Sequence, residues 1–133
     1  HNPSLSTLAG IESTPGFAEL INGTTDISKA MKRDIGNVAI IPAGDRDRYN
    51  ADILSSNAFG NALNTLKTQY DFVLVDCSDA LSSTDAEIIA RQVDNVVLVT
   101  QWNKTPKKTL KKVAETLRQH ARDVPNVILN RRA

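Results

Sequence analysis

The sequence predicts an α/β fold, a doubly wound, mostly parallel sheet with helices on both faces. First, four short apolar runs, mostly of β-branched residues, do not alternate with polar ones, which is typical of strands buried on both faces. Second, the segments between the later runs have helical periodicity. Third, single helices separate these strands, which predicts right-handed crossovers. The runs are residues 38–41, 72–75, 96–99 and 127–129.

The first 36 residues differ from this pattern, since glycines divide them into short pieces. Residues 15–22 predict a small helix followed by a turn. In the next part of the chain, residues 57–70 predict a longer helix with Asn57 as its N-cap. Its large apolar residues recur at offsets of four, three and four, which places them on one face. They are Phe59, Leu63, Leu66 and Tyr70.

Two further helices are predicted in the second half of the chain. Residues 84–92 form a short amphipathic segment after Ser83, a candidate N-cap. The last helix is expected to begin with Thr105 as N-cap and Pro106 at its first position. Its apolar residues repeat at helical spacing, at Leu110, Val113, Leu117 and Ala121.

Composition bounds the class of protein. The chain has 133 residues, of which 41% are hydrophobic and 23% charged, so it can build a core and is not a disordered tail. No apolar run approaches the roughly 18 residues of a membrane span, and no signal peptide opens the chain. The one cysteine, Cys77, excludes a disulfide framework and a thiolate zinc site. We find no repeat or linker and expect a single domain.

The most informative motif is the stretch of residues 70–76, an aliphatic run that ends in Asp76. An aspartate after a parallel strand lies at the carboxyl edge of the sheet, where open α/β sheets bind ligands. In phosphate-handling proteins such a carboxylate holds Mg²⁺ directly or through water, since this hard cation prefers oxygen ligands. The alternative is an aspartate that caps the turn after the strand.

The companion loop of a nucleotide site is absent from this sequence. It contains no Gly-Lys pair and no glycine after Gly60, so it has no phosphate-binding loop. Either the chain does not bind nucleotide or the loop precedes it. A response-regulator receiver also has an aspartate after an aliphatic strand, but it needs an acidic pair after its first strand. Here the run 38–41 is followed by Pro42, Ala43 and Gly44, which excludes a receiver.

An ordered set of motifs is spread over nearly the whole chain. Its segments are residues 2–5, a Pro-Gly helix at 15–21, a strand ending in Pro-Ala-Gly at 38–44, Leu-Ser-Ser within 53–56 followed by Phe59, the aliphatic strand at 70–76, and residues 84–86, 94–99 and 127–130. By this ordered set the chain resembles the cytoplasmic kinase-type domain of bacterial exopolysaccharide transport proteins, in which residues 70–76 would be the Walker B strand. These are the bacterial tyrosine kinases, a branch of the deviant-Walker ATPases that includes the MinD and ParA proteins.

The resemblance implies a fold, a site and a location. Residues 1–133 would be the C-terminal portion of one nucleotide-binding domain of a bacterial inner-membrane protein, with the phosphate loop before His1. ATP and Mg²⁺ would be cofactors of the intact domain, and this chain alone is not expected to bind them tightly. Asp76 would orient the Mg²⁺-bound water, with support from Asp85. Asn130 would contact adenine, or would only close the last strand.

One departure from the family pattern leaves open whether the domain is catalytically competent. The Walker B strand of the family is followed by Asp-Thr-Pro-Pro, where this chain has Asp76, Cys77, Ser78 and Asp79. Loss of both prolines removes a rigid turn beside the metal. Two alternatives to a kinase therefore stand, a non-catalytic assembly module of the same export system and a MinD- or ParA-like positioning ATPase. Cys77 is expected to be a small buried residue, not a nucleophile.

The net charge of +1 conceals two unlike parts. Residues 1–103 contain 7 Lys/Arg and 13 Asp/Glu, while residues 104–133 contain 9 and 2. Five lysines crowd the start of the last helix against its dipole, which indicates an external anionic partner, although a solvated face is the alternative. We expect contact with the acidic residues 71–94 of a neighbouring protomer, or with an anionic membrane surface, and no nucleic acid. The lysines are Lys104, Lys107, Lys108, Lys111 and Lys112.

Overall fold

The computed structural model describes residues 4–36, 38–45, 51–77, 80 and 84–131. The chain divides into two compact units, His1–Val73 and Leu74–Ala133. Helices occur in both units and a small parallel sheet in the second, which confirms the α/β class. In the described parts, no helix has the length and apolar content that crossing a bilayer requires.

The first unit consists mainly of short helices around one hairpin. Its elements are α1 (Ser4–Ala9), α2 (Phe17–Ile21), α3 (Ile27–Ala30), β1 (Lys32–Ile35), β2 (Val38–Ile40), α4 (Ala51–Ser55) and α5 (Asn57–Lys67). The second unit alternates helices and strands. Its elements are α6 (Asp85–Ala90), β3 (Val97–Gln101), α7 (Lys107–His120) and β4 (Asn126–Asn130).

The hairpin of the first unit corrects one strand prediction. Residues 38–41 were expected in a parallel sheet, but β2 pairs antiparallel with β1, with Lys32 opposite Ile40. The reversal occurs at Gly36, whose φ of 51° lies in the left-handed region that glycine adopts without strain. Val38 is 57% exposed, so this strand is not buried on both faces.

The second unit contains the predicted parallel pair. Strands β3 and β4 are parallel, with Val97 opposite Asn126 and Gln101 opposite Asn130, and α7 connects them. The run 72–75 was expected to be a further strand, and that prediction is wrong for the described structure. The segment has no regular secondary structure and leaves Leu74 94% exposed, because a strand requires a neighbour that completes its ladder.

The core of the first unit forms on α5. Of the four residues predicted to face inward, Phe59, Leu63 and Leu66 are buried and Tyr70 is half-buried. The ring of Phe59 packs edge-on against that of Phe17, with 5.6 Å between centroids. The helix begins one residue earlier than expected, because Ser56 has the extended backbone of an N-cap and Asn57 is already helical. It ends at Lys67, so Tyr70 follows the helix. The buried set on α5 is Phe59, Ala62, Leu63 and Leu66.

The core of the second unit joins α6 to α7. Leu117, only 2% exposed, packs with Ala86 and Ala90 of α6. The predicted N-cap of α7 is wrong by one residue, since Pro106 takes this position with an extended ψ of 139°. The hydroxyl of Thr105 instead accepts a hydrogen bond from the backbone N–H of Gln101, at 3.2 Å. The expected cap Ser83 lies outside the described residues.

The parallel strands are less buried than the sequence predicts. Leu98 of β3 packs against the core formed by α6 and α7, but Val97 and Val99 are 52% and 68% exposed. Every residue of β4 is exposed. Burial on both faces is therefore not observed for this pair, because no described element covers the face that carries Val97 and Val99.

Candidate functional site

Asp76, the predicted metal ligand, lies beside Cys77 at the end of the extended segment of residues 72–77, and both residues are exposed. Desolvation of the thiol by surrounding atoms raises the pKa of Cys77, and the negative charges of Asp76 and Asp85 raise this pKa further. The charges of both carboxylates therefore act on this thiol, the one charge from the next residue in the chain and the other from the start of α6.

The expected role of Cys77 is corrected in one respect. The residue keeps an exposed surface, so it is not the buried filler that the sequence suggested. A raised pKa keeps the thiol protonated near neutral pH, and a protonated thiol is a poor nucleophile. The direction of this shift disfavours a nucleophilic role for Cys77.

Helix α6 holds Asp85 in place through its packing on α7. Asp85 is the first residue of α6, and the buried side chains of Ala86 and Ala90 contact Leu117 on the facing helix. A polar contact supplements this packing, since Nε2 of His120 lies 3.3 Å from Oε2 of Glu87. The position of the Asp85 carboxylate therefore depends on an apolar contact and a partly buried polar contact.

The neighbours of His120 determine its tautomer. Nη2 of Arg91 lies 3.1 Å from Nδ1 of His120. A guanidinium can only donate hydrogen bonds, so Nδ1 must be the acceptor in this contact. The ring proton then resides on Nε2 and points to the carboxylate of Glu87. This arrangement holds the imidazole between Glu87 of α6 and Arg91, the residue that follows this helix.

Asn130, the predicted adenine contact, ends β4 as expected from the sequence. It lies opposite Gln101 in the parallel ladder, so the two strands end together. The backbone N–H of Trp102 donates to the carbonyl of Asn130 at 2.8 Å. The guanidinium carbon of Arg131 lies 4.9 Å from the centroid of the Trp102 ring. The carboxyl ends of β3 and β4 therefore carry an amide, an indole and a guanidinium.

Only part of a magnesium nucleotide site can come from this chain. Carboxylate oxygens such as those of Asp76 and Asp85 suit Mg²⁺, so these residues fit one side of such a site. Within the described ranges, however, no three Asp, Glu, His or Cys side chains form a cluster that could hold a metal ion. The sequence contains no Gly-Lys loop, so phosphate binding would need groups outside this chain.

The basic cluster lies at the start of α7, as the sequence predicts. Its members are Lys104, Lys107, Lys108, Lys111 and Lys112. All five lysines are exposed, four of them in the first two turns of α7. No acidic residue occurs in the first turn, so the helix dipole there is not compensated by a side chain of the turn. Lys111 contacts Glu115 at 3.8 Å, a surface ion pair of little strength.

A buried acid in the first unit was not recognised from the sequence. Glu19 of α2 is 9% exposed, and its Oε2 accepts a hydrogen bond from the N–H of Gly16 at 2.7 Å. Its Oε1 accepts from the N–H of Asp45 at 3.0 Å. The N–H of Phe17 also donates to the carbonyl of Pro42, at 2.7 Å. One carboxylate thus links Gly16 of the Pro-Gly motif to Asp45, the residue that follows the Pro-Ala-Gly motif.

A groove of about 650 Å³ lies between α3 and the end of α5 in the first unit. The hydroxyl of Tyr70 donates to Sδ of Met31 there, at 3.0 Å. The carboxylate of Asp26 at its rim accepts from the Ser28 hydroxyl and the Lys29 N–H, and these bonds lower the pKa of Asp26. None of the predicted site residues lines this groove.

Comparison with known proteins identifies relatives of one kind. The chain is 28% identical over 130 residues to the putative tyrosine-protein kinase CapB of Staphylococcus aureus, covering 97% of this chain and 57% of CapB. It is 26% identical to the tyrosine-protein kinase CpsD of Streptococcus pneumoniae, covering 90% and 53%. The chain thus spans about half the length of these curated relatives. No family model matches the chain.

Solved structures agree with the curated relatives. The crystal structure of the VpsO kinase domain superposes with a TM-score of 0.89 at 30% identity, over 100% of this chain and 66% of that domain. The homologues of this chain are therefore bacterial tyrosine-protein kinases, and the resemblance found in the sequence is confirmed. The kinase-domain likeness extends over all 133 residues, including both compact units.

Proposed function

We propose that the chain forms part of the cytoplasmic ATP-binding tyrosine-kinase-type domain of a bacterial exopolysaccharide biosynthesis and transport protein. In this role it would help to regulate polysaccharide polymerisation and export, in contact with the export machinery. The observation that carries the proposal is the likeness to the VpsO kinase domain, which extends over the whole chain at 30% identity. The tyrosine-kinase names of its relatives give further support.

The proposed site has ATP and Mg²⁺ as cofactors of the intact domain. Bound magnesium ATP would supply the phosphoryl group for in-line transfer, which depends on positioning and charge neutralisation. Asp76 would hold a water molecule of the metal, and Asp85 beside it would add negative charge at the same place. Asn130 would hydrogen-bond the adenine edge. The charges of both Asp76 and Asp85 raise the pKa of Cys77, which supports a shared electrostatic role for these two acids.

The proposed fold is a doubly wound sheet to which β3 and β4 contribute adjacent parallel strands. The bare face of β3 and the exposed side chains of residues 72–75 support this proposal, because both are apolar and lie in water. Apolar surface of this kind gains free energy when further strands and helices cover it. In that fold the carboxyl edge would receive Asp76 from one strand and Asn130 from another.

A second candidate function is a non-catalytic assembly module of the same export system. The altered sequence Asp76, Cys77, Ser78 and Asp79 favours it, because Ser78 and Asp79 stand where the family pattern has two prolines. Such a module would keep the fold for docking and lack phosphoryl transfer. It predicts an intact assembly without tyrosine phosphorylation.

Neighbouring protomers are the proposed partners of the basic cluster. Residues 71–94 of this chain contain six acids and one base, so a second copy offers a surface of opposite charge to the lysines of α7. An anionic membrane surface is the other proposed partner. Reversal of Lys107, Lys108, Lys111 and Lys112 to Glu should prevent self-association at low salt. Reversal of Arg118, an exposed residue near the other end of α7, serves as the control, and normal assembly of the lysine variant would contradict the contact.

The kinase proposal can be tested in a hybrid protein. This chain would replace the matching segment of the VpsO kinase domain, which provides the remaining third of the domain. We expect the hybrid to phosphorylate itself on tyrosine with magnesium ATP. Asp76→Asn should reduce the rate roughly 10–100-fold, the usual effect of removing a residue that orients a metal-bound group. Asp123→Asn, at an exposed aspartate outside the site, is the matched control.

The outcomes separate the two functions. Tyrosine phosphorylation that depends on Asp76 and not on Asp123 supports the kinase. A hybrid that folds cooperatively and assembles, yet forms no phosphotyrosine, contradicts the kinase and supports the assembly module. Equal loss of activity in both variants would mean that Asp76 has no special role near the metal.

A further inference from the structure

The turn after β3 holds Trp102 in a defined position. Asn103 has a φ of 58°, a left-handed conformation that asparagine adopts more readily than most residues. The N–H groups of Lys104 and Thr105 donate to the carbonyl of Gln101, at 3.3 and 3.1 Å. In return, the N–H of Gln101 donates to the hydroxyl of Thr105 at 3.2 Å. Three hydrogen bonds thus close the turn and fix the backbone on both sides of Trp102.

The end of β4 holds the indole from the other side. The N–H of Trp102 donates to the carbonyl of Asn130 at 2.8 Å, and the next residue, Arg131, places its guanidinium 4.9 Å from the indole centroid. Both ends of this arrangement are therefore attached to strands that end in register. The indole and the guanidinium are positioned before any ligand arrives.

This arrangement leaves a large aromatic surface in water. Trp102, the only tryptophan of the chain, is 49% exposed, and Arg131 is exposed as well. A tryptophan that only filled space would gain more free energy by burial. The surface lies at the carboxyl ends of parallel strands, where α/β proteins bind ligands. The position of this surface and the hydrogen-bonded turn that holds Trp102 both indicate contact with a planar ligand.

We propose that Trp102 and Arg131 form a stacking platform for the purine base of a nucleotide, beside the amide of Asn130. Nucleobases stack on aromatic rings and on the planes of arginine guanidinium groups. The neighbouring amide offers one donor and one acceptor, which matches the edge of adenine. The ligand class is an adenine nucleotide, so this platform rests on the proposed ATP-binding function and adds two residues to it.

The single tryptophan makes the platform directly observable. The chain would be titrated with AMP up to millimolar concentrations, with the indole N–H cross-peak and the Trp102 fluorescence as readouts. We expect saturable shifts of the indole signal with AMP, and none with ribose 5-phosphate, which lacks the base. Equal shifts with both ligands would show that the pair binds phosphate, and this would overturn the platform.

Two variants and a control locate the interaction. Trp102→Leu should weaken AMP binding about 10-fold, followed through the backbone amide of Asn130, because stacking on an aromatic ring is lost. Arg131→Lys keeps the charge but not the plane and should weaken binding several-fold. Arg118→Lys makes the same exchange on an exposed part of α7 and should leave binding unchanged. Arg131→Lys tests the platform without disturbing the turn.

The result is distinguishable from the test of the kinase proposal. If AMP shifts other amides and leaves the indole signal unmoved, the platform is wrong while nucleotide binding stands. If the indole responds to AMP but the hybrid forms no phosphotyrosine, the kinase proposal fails and the platform stands. No response of any signal to AMP would overturn the platform as well.

Discussion

Leu117 is the most deeply buried large side chain in the described part of the second unit, with 2% exposure. It joins α7 to Ala86 and Ala90 of α6, the helix that begins with Asp85. Substitution of Leu117 by Ala removes three carbon groups from this contact. We expect the variant to destabilise the second unit and to loosen the position of Asp85.

The magnitude follows from burial. Loss of three buried carbon groups costs about 2.4 kcal/mol in transfer free energy, at about 0.8 kcal/mol each. The cavity adds to this cost, because Leu→Ala changes in cores destabilise by about 2–5 kcal/mol. The two alanines on α6 have no side chain that can move into the space. We therefore expect a loss of about 3 kcal/mol, a large fraction of the stability of a small unit.

Urea denaturation followed by the fluorescence of Trp102 reports on the second unit, since the only tryptophan lies there. With a slope near 1 kcal/mol per molar urea, the midpoint of Leu117→Ala should fall by about 3 M, or the variant should be unfolded without urea. Arg118→Ala, the exposed neighbour on α7, should change the midpoint little. A loss below about 0.5 kcal/mol for Leu117→Ala would refute the packing of α6 on α7.

Three further changes test the other contacts of the site and the fold. Asp76→Asn and Asp85→Asn should each lower the raised pKa of Cys77, because each removes a negative charge that acts on the thiol. The thiol should then react faster with iodoacetamide at a fixed, mildly alkaline pH. Unchanged rates would contradict the effect of these two charges on Cys77. Gly44→Ala should cost about 1–3 kcal/mol in thermal denaturation, because φ is 88° and the new methyl group would meet the carboxylate of Glu19. Glu19→Gln should cost about 1–3 kcal/mol in the same assay, since an amide cannot accept both backbone hydrogen bonds as a carboxylate does. An unchanged melting temperature would contradict the hydrogen bonds from Gly16 and Asp45 to Glu19.

The helical faces and the end of the last strand were predictable from the sequence. The spacing of Phe59, Leu63 and Leu66 defines one face of α5, and Leu117 on α7 is buried as its position in the repeat requires. Asn130 ends the last strand as predicted. These features depend on local sequence pattern, and so they can be derived from one chain.

Features that depend on contacts between residues distant in sequence were not predictable. An apolar run such as residues 72–75 can join a sheet, but only a neighbouring strand makes it one. Glu19 has the polarity of a surface residue, and its burial follows from backbone donors that are distant in sequence. The stacking of Arg131 on Trp102 joins residues 29 positions apart through the pairing of β3 and β4. The Pro-Gly and Pro-Ala-Gly motifs were the only sequence signal near the backbone groups that Glu19 binds.

Strand β4 carries no charge and no proline along its five residues, and all five are exposed. Within the described ranges it bonds to β3 along one edge, and no strand pairs with its other edge. Such an edge can template pairing with an identical strand, and natural proteins usually block it with lysine, proline or a bulge. The free edge of β4 is therefore the place where a further strand, from the same domain or from an identical chain, would extend this sheet.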